Sequence, residues 1–350
     1  MTTNATILIA DISGFTDFVS STALEHSSHI VNELLELLVA ANHLDLTVSE
    51  IEGDAILFYK KGPPIPCDDL VDQCLQMFND FHSRLKLIER DTICQCGACQ
   101  TTSGLGLKFI AHRGTIREIN VANFTKASGL DMIIAHRLLK NEVPAREYVL
   151  TTTRYLDELG GQMPCDLAWT GSTERYKDVG DIGVYFATLN DVKARIPSPP
   201  ERRSPITPVG DDTLTADIAA PLMRIYMKII DVEGKRDWVV GLDTIERPEG
   251  TPRIDEAHTC LFQGMRVDFQ LLHAEVTPLR AVYHERASFD GTPFGHQQVY
   301  TLKRIDDGST SLRFDVKWQE DPPAPAEMRQ MFMGGCTASL AVLKEQLEAK

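Results

Sequence analysis

Thr6-Ile-Leu-Ile-Ala-Asp-Ile-Ser-Gly-Phe-Thr16 is the stretch that decides how this chain reads. Its first five residues form an apolar, β-branched run, the signal of a buried strand, and that strand delivers Asp11 into a tight loop. A second carboxylate, Asp54, follows Gly53 in Thr47-Val-Ser-Glu-Ile-Glu-Gly-Asp-Ala-Ile-Leu-Phe-Tyr59, which reads as two strands about a turn at Glu52-Gly53. Hard cations take oxygen ligands, and two carboxylates offset the charge of a metal pair. Taken singly, Asp11 reads equally as a helix N-cap and Asp54 as a turn residue. Together and in this order, they predict a metal-assisted phosphate site on an α+β sheet.

Outward from that pair, Ile30, Leu34, Leu35, Leu37, Leu38 and Leu44 recur at helical spacing. The segment 70–87 reads as a second amphipathic helix, with Leu70, Cys74, Met77, Phe78, Phe81 and Leu85 on its apolar side. Strands are predicted over 105–112 and 115–121. The resulting order, βαββαβ, is the split βαβ arrangement of a ferredoxin-like sheet.

The motifs resemble the catalytic domain of class III adenylate and guanylate cyclases. Ala10-Asp-Ile-Ser-Gly-Phe-Thr16 resembles the family's metal-binding opening and Glu50-Ile-Glu-Gly-Asp54 its second metal motif. Phe109-Ile-Ala-His-Arg-Gly114 is similar to its central strand, and Gly129-Leu-Asp-Met-Ile-Ile-Ala-His-Arg-Leu138 to its late catalytic helix. Lys177-Asp-Val-Gly180, leading into Val184-Tyr-Phe, resembles the closing strand. The resemblance implies Mg2+ or Mn2+ on Asp11, Asp54 and the Ile12 carbonyl. It implies a nucleoside triphosphate held by the loop residues Ser13, Gly14, Phe15 and Thr16, with Lys177 (or Val179, in another register) beside the phosphates. Glu50 takes the base-selecting position, where Glu suits guanine, and its partner position falls on Lys126.

The late helix departs from the family pattern. The catalytic Arg position is Arg137, but the Asn position is Ile133, which has no hydrogen-bonding group. Arg137 reads equally as a salt-bridged helix residue. His112 and His136 read as packed residues without an acid–base partner. The expectation is a degenerate domain that binds nucleotide and metal without efficient cyclisation. The alternatives are an active nucleotidyl cyclase, guanine-directed by Glu50, and a non-catalytic scaffold. Family active sites form between two domains, so a homodimer is expected under either of the first two.

A chain of 350 residues exceeds the usual single-domain size, so two domains are expected. The formal charge of −15 argues against nucleic-acid or anionic-membrane binding, because both require a positive field. Without a basic leader or a membrane-length apolar run, the sequence reads as cytoplasmic. Among the eight cysteines, Cys94, Cys96 and Cys99 cluster in one loop. They read as reduced thiols, as a redox pair, or as three zinc ligands completed by Cys67, Cys74 or Cys165.

The boundaries expected are a cyclase-like domain over 1–191, a proline-rich linker over 192–211 and a second domain over 212–350. The second domain opens on a strand at 213–218 and a helix at 222–231. Strands follow over 253–262, 266–274, 281–289, 297–304 and 311–318, and a long helix closes the chain at 325–349. That order, with Ala220-Pro221 and Trp238, resembles the START-like (SRPBCC) helix-grip fold, which implies an apolar cavity for a hydrophobic small molecule. Val267, Phe269, Leu271, Val282, Tyr300 and Phe314 would face it from the sheet, and Met328, Met331, Phe332, Met333 and Leu340 from the helix. The competing reading is a filled core. His258, Cys260 and His284 are the polar or reactive candidates in such a pocket.

Overall fold

In the computed structural model β1 (Thr2–Ser13) carries the opening apolar run, and it is buried along both faces. Leu8, Ala10 and Ile12 belong to one apolar cluster and Ala5, Ile7 and Ile9 to another, as the two-residue period of a strand requires. That is why the run is continuous rather than alternating. The structure describes residues 2–20, 24–94, 101–122, 124–163, 166–202, 210–248 and 252–349. The chain divides into two compact units, Met1–Arg90 with Cys96–Pro199, and Asp91–Gln95 with Pro200–Lys350.

In the first unit, α1 (Phe15–Ser20) and α2 (Leu24–Ala40) follow β1. The hairpin of β2 (Thr47–Glu52) and β3 (Ala55–Lys61) comes next, then α3 (Cys67–Asp91) and β4 (Gly106–Val121). The sheet runs β2-β3-β1-β4, antiparallel at every step, which is the split βαβ order expected from sequence. It continues through β6 (Tyr148–Thr152), β8 (Gly180–Thr188) and β7 (Trp169–Tyr176), while β5 (Phe124–Ser128) pairs with the end of β4. Helices α2 and α3 cover one face through Leu34, Leu38, Phe78 and Phe81. On the other face, α4 (Leu130–Arg137) packs with Met132 and Ala135. Two short helices, α5 (Thr153–Asp157) and α6 (Asn190–Arg195), complete the unit.

Three sequence expectations change. The helix at 30–44 ends at Ala40, because the Asn42 side chain closes a loop with the Leu46 backbone in both directions, at 2.8 and 3.1 Å. Residues 192–195, assigned to the linker, end α6 instead. The strands at 105–112 and 115–121 are one strand, β4, uninterrupted at Gly114. Gly114 is there for space rather than for a turn. A Cβ at this position would fall inside the Asp131 carboxyl group, which folds down from the first turn of α4. Gly114→Ala is therefore expected to destabilise the first unit by about 1–3 kcal/mol, the usual cost of overpacking. Thermal unfolding followed through Trp169 checks this.

The second unit is built on a seven-stranded antiparallel sheet in the order β10-β11-β12-β13-β14-β15-β9. The strands are β9 (Asp212–Ile218), β10 (Leu242–Glu246), β11 (Ala257–Phe262), β12 (Met265–Val276), β13 (Arg280–Phe289), β14 (Gly295–Arg304) and β15 (Thr310–Trp318). Between β9 and β10 lie α7 (Leu222–Ile230) and a 3-10 turn, Glu233–Asp237. The long helix α8 (Ala326–Glu348) closes the chain. Only β10, short and largely exposed, escaped the sequence reading of this half. The short segment after α3 also belongs to this unit, where the Tyr226 hydroxyl donates to the Ile93 carbonyl at 3.1 Å and Arg202 pairs with Asp91 at 2.7 Å.

Candidate functional site

Asp11 and Asp54 are brought together by strand register. Asp11 pairs with Ala55 across β1 and β3, and the Ile12 amide donates to the Asp54 carbonyl at 3.0 Å. Burial first, then the neighbouring Asp11 carboxylate, pushes the Asp54 carboxyl up to about 6. Opposite Asp11 on β4 sits Lys108, whose ammonium lies 3.0 Å from Asp11 Oδ2, with both side chains largely buried. The two carboxylates are suitable donors for a hard divalent cation. Lys108 already places one positive charge on them, so a metal would share Asp11 with it.

The loop after Asp11 is held from a second direction. Gly14 has φ 85°, where a side chain would be strained. A Cβ there would also press on the Arg146 guanidinium and the Gly104 carbonyl. The Ser13 hydroxyl donates to the Arg146 carbonyl at 2.8 Å, and the Arg146 guanidinium donates to the Gly104 carbonyl at 3.2 Å. Lys108 and Arg146 are thus the cations beside this loop, and the sequence reading picked out neither. Lys177 is elsewhere, exposed in the turn between β7 and β8. Phe15 and Thr16 begin α1.

The base-selecting candidates do meet. Lys126 on β5, the residue at which the count back from Gly129 arrived, forms an ion pair with Glu50 on β2. Burial works against ionisation of Glu50, yet the hydrogen bond and charge of Lys126 hold its carboxyl below the ordinary range. His136 was expected to pack. It instead turns toward this pair, with Nε2 3.4 Å from Glu50 Oε1 and Nδ1 3.9 Å from Glu52 Oε2, because the last turn of α4 faces the β2 edge. Glu50, Glu52 and His136 are the one described group of three or more such side chains close enough to share a metal ion, and the Lys126 ammonium already occupies its carboxylates.

Arg137 takes the salt-bridged alternative: its Nε and Nη2 donate to Asp178 Oδ2 at 2.9 and 2.7 Å. Ile133 is half exposed and brings no polar group to the helix surface. His112, expected to lack a partner, has two. Its Nδ1 is 2.9 Å from the Thr152 hydroxyl and its Nε2 3.2 Å from Asp131 Oδ1. Asp131 also accepts from the Thr115 amide and from Arg154, both at 2.6 Å. Burial opposes its charge, but these donors outweigh burial and hold the carboxyl low. The sequence signal was Gly114, which leaves the room Asp131 fills.

Of the cysteine cluster, Cys94 is buried, while Cys96 and Cys99 lie outside the described residues, as does Cys165. Cys67 and Cys74 are buried in α3, where burial pushes the Cys67 thiol up to about 11 and Cys74 higher still. Without a metal, such thiols stay protonated. No metal group containing a cysteine occurs among the described residues.

The second unit encloses a cavity of about 470 Å³. Val267, Phe269, Tyr300 and Phe314 face it from the sheet, and Phe332 and Leu340 from α8. His258 and Cys260 also line it. His284 does not: it alternates to the opposite face of β13 from Tyr283 and Glu285, and its Nε2 meets Gln297 at 2.9 Å. Beside the cavity Glu285, fully buried, accepts from Lys235 at 3.1 and 3.3 Å, from the Tyr283 hydroxyl at 2.6 Å and from Gln298 at 2.9 Å. This pair was not legible in the sequence, since Lys235 lies in a 3-10 turn and Glu285 fifty residues on in a strand.

Among the described residues no helix is long and apolar enough to cross a membrane. A family model described as "Protein of unknown function (DUF2652)" matches residues 31–148. Solved structures that the chain resembles over about half its length are cyclase catalytic domains. One is the catalytic core of a rhodopsin-guanylyl cyclase in complex with ATPalphaS, at 18% identity, covering 54% of this chain and 97% of that one, with a TM-score of 0.40. Another is the adenylyl cyclase CyaB from P. aeruginosa, at 14% identity, covering 54% and 95%, also at 0.40. The uncharacterized protein Rv2561/Rv2562 of Mycobacterium tuberculosis is 30% identical over 173 residues, which are 47% of this chain and 77% of that protein. At that identity and coverage, this chain belongs to the family of Rv2561/Rv2562.

Proposed function

We propose that this protein is a two-domain sensor: a cyclase-like domain that binds a nucleoside triphosphate with Mg2+ or Mn2+ but cyclises it poorly, joined to a START-like domain that holds a hydrophobic small molecule. The observation that carries the first half is the meeting of Asp11, on β1, with Asp54, in the turn before the neighbouring β3, beside the Gly14 loop. In this reading the two carboxylates hold the metal, which would neutralise the triphosphate, and Lys108 and Arg146 add positive charge beside it. The reading of poor cyclisation rests on Ile133. A catalytic Asn there would orient the ribose, and an aliphatic side chain offers no donor for that work. Arg137, committed to Asp178, is not free to reach a transferring phosphate without breaking two hydrogen bonds.

The test is incubation with ATP or GTP and Mn2+, with cyclic product quantified by mass spectrometry and binding by calorimetry. The expected result is Mn2+-dependent nucleotide binding, lost in Asp11→Ala/Asp54→Ala, with cyclic product at background. Lys108→Met should tighten Mn2+ binding about tenfold by removing the competing ammonium, an effect of about 1.4 kcal/mol. Weaker Mn2+ binding in that variant would overturn the role given to Lys108. Robust product lost with the two aspartates would instead establish the second reading, an active cyclase. The Glu50–Lys126 pair favours guanine for it, since Glu50 can accept from the base N–H groups and Lys126 can donate to its carbonyl.

A homodimer fits this proposal. Ile51, Ile119, Leu130 and Ile133 are exposed apolar residues on the elements that surround the Glu50–Lys126 pair. Sedimentation of the full chain should show a dimer that Ile133→Asp weakens. A wild-type monomer at micromolar concentration would count against catalysis at a shared site.

A further inference from the structure

We propose that the cavity of the second unit selects an uncharged apolar molecule carrying one polar oxygen, a hydroxyl or a carbonyl, which Tyr300 and His258 recognise. This deepens the reading of the second unit as a ligand-binding domain and rests on it.

The walls set the apolar part. Aromatic and aliphatic side chains dominate the lining, and Met331, more than half exposed, stands at its edge, where a flexible thioether can give way to an entering molecule. A volume of about 470 Å³ filled at protein-like density accommodates roughly 20 non-hydrogen atoms.

The polar part follows from two side chains that are at least nine-tenths buried and line the cavity. Among the described residues, the Tyr300 hydroxyl has no hydrogen-bond partner, and neither has His258. The Nε2 of His258 is sealed by protein and stands 3.8 Å from Glu285 Oε1, too far for a hydrogen bond. The His258 Nδ1 atom and the Tyr300 hydroxyl are not sealed in this way, and both residues line the cavity. A buried polar group without a partner is costly, so a ligand oxygen that partners Tyr300 gains more than an apolar atom there.

The charge state follows from Lys235 and Glu285. Their side chains are 8% and 0% exposed, and each neutralises the other. The two carboxylate oxygens of Glu285 already accept from Lys235, Tyr283 and Gln298. An anionic head would compete with Glu285 for the ammonium, and a cationic head would compete with Lys235 for the carboxylate. Either would strand a buried charge. A neutral ligand leaves the pair intact.

The experiment uses the full chain and diphenylhexatriene, an uncharged hydrocarbon that fluoresces in apolar sites, displaced in turn by decan-1-ol, decanoate and decylammonium. Decanol is expected to displace it at a concentration at least tenfold below the other two. In Tyr300→Phe, which keeps the cavity's shape, decanol should weaken three- to tenfold while diphenylhexatriene binds as before. Equal displacement by either charged chain, or an unchanged decanol affinity in Tyr300→Phe, overturns this inference alone. Failure of the wild-type chain to take up diphenylhexatriene overturns the ligand-binding reading itself, and this inference with it.

Discussion

Lys235→Met should destabilise the second unit by about 3–5 kcal/mol, the cost of leaving a buried carboxylate without its cation. Glu285 is fully buried, and among the described residues the Lys235 ammonium is its one positively charged hydrogen-bond donor; it also lies over the Tyr283 ring at 5.2 Å. The Tyr283 and Gln298 donors remain in the variant but bring no charge. Removing both charges together is a different matter. Lys235→Met/Glu285→Leu takes away the desolvation cost along with the attraction, and replacing a buried pair by apolar groups is often close to neutral. The double variant should therefore recover at least half of the loss. Urea unfolding of a Trp169→Phe background, where Trp238 and Trp318 report on the second unit, gives both numbers. A single variant within about 1 kcal/mol of wild type, the value of an exposed pair, would mean that the charges are solvated in solution.

Acidification should unfold the second unit well before carboxylates titrate. Burial, followed by the Lys235 charge, lowers the His258 pKa to about 4, against a weaker opposing pull from Glu285. His296 is lowered to about 4 by burial among Phe289, Trp318 and Phe332, against its contact with Gln298. Burial also lowers His284, against its hydrogen bond with Gln297. Between the ordinary histidine value of 6.5 and about 4, the unfolded chain takes up protons that the folded imidazoles refuse. Stability is therefore highest above pH 6.5 and falls as pH falls, by roughly 3 kcal/mol for each of the protons that His258 and His296 refuse, with His284 adding in the same direction.

Glu285 extends the same trend. Burial raises its pKa, but Lys235, His258 and the hydrogen bonds outweigh burial and lower it to about 2. The stability this carboxylate contributes is present above about 4.5 and is lost as pH falls towards 2. Urea midpoints of the Trp169→Phe protein measured from pH 7.5 to 4 should fall continuously, and His296→Phe should flatten the upper part of that curve. A flat midpoint down to pH 5 would place these imidazoles in contact with water.

Much of the fold was legible because it is written in local patterns. The apolar run before Asp11 reads as a buried strand wherever it occurs, and the Glu52-Gly53-Asp54 turn reads as a hairpin. The alternation in 266–318 gives a sheet with little help from the rest of the chain. Single strands could not reveal that Gly114 belongs to an uninterrupted β4, since the reason for that glycine is a side chain on α4 seventeen residues later. The Asn42 loop closure, which stops α2 early, is likewise a contact between a side chain and backbone that periodicity does not record.

The candidate site divides in the same way. Asp11 and Asp54 were within reach of the sequence, because adjacent antiparallel strands fix register by counting; Glu50 and Lys126 were singled out by the resemblance alone, since β2 and β5 do not pair. Lys108, Arg146 and the partners of His112 were not, since each arrives from a separate segment. Sequence alone determined the order of elements, the two carboxylates and the absence of a hydrogen-bonding group at Ile133, all properties of residue type at local spacing. Tertiary structure alone decided that Arg137 is tied to Asp178, that Lys108 shares Asp11, and that Lys235 and Glu285 meet beside a cavity. The first is a contact between exposed side chains of separate segments; the other two depend on which distant side chains share one desolvated volume, where a charge is stable only with its partner beside it.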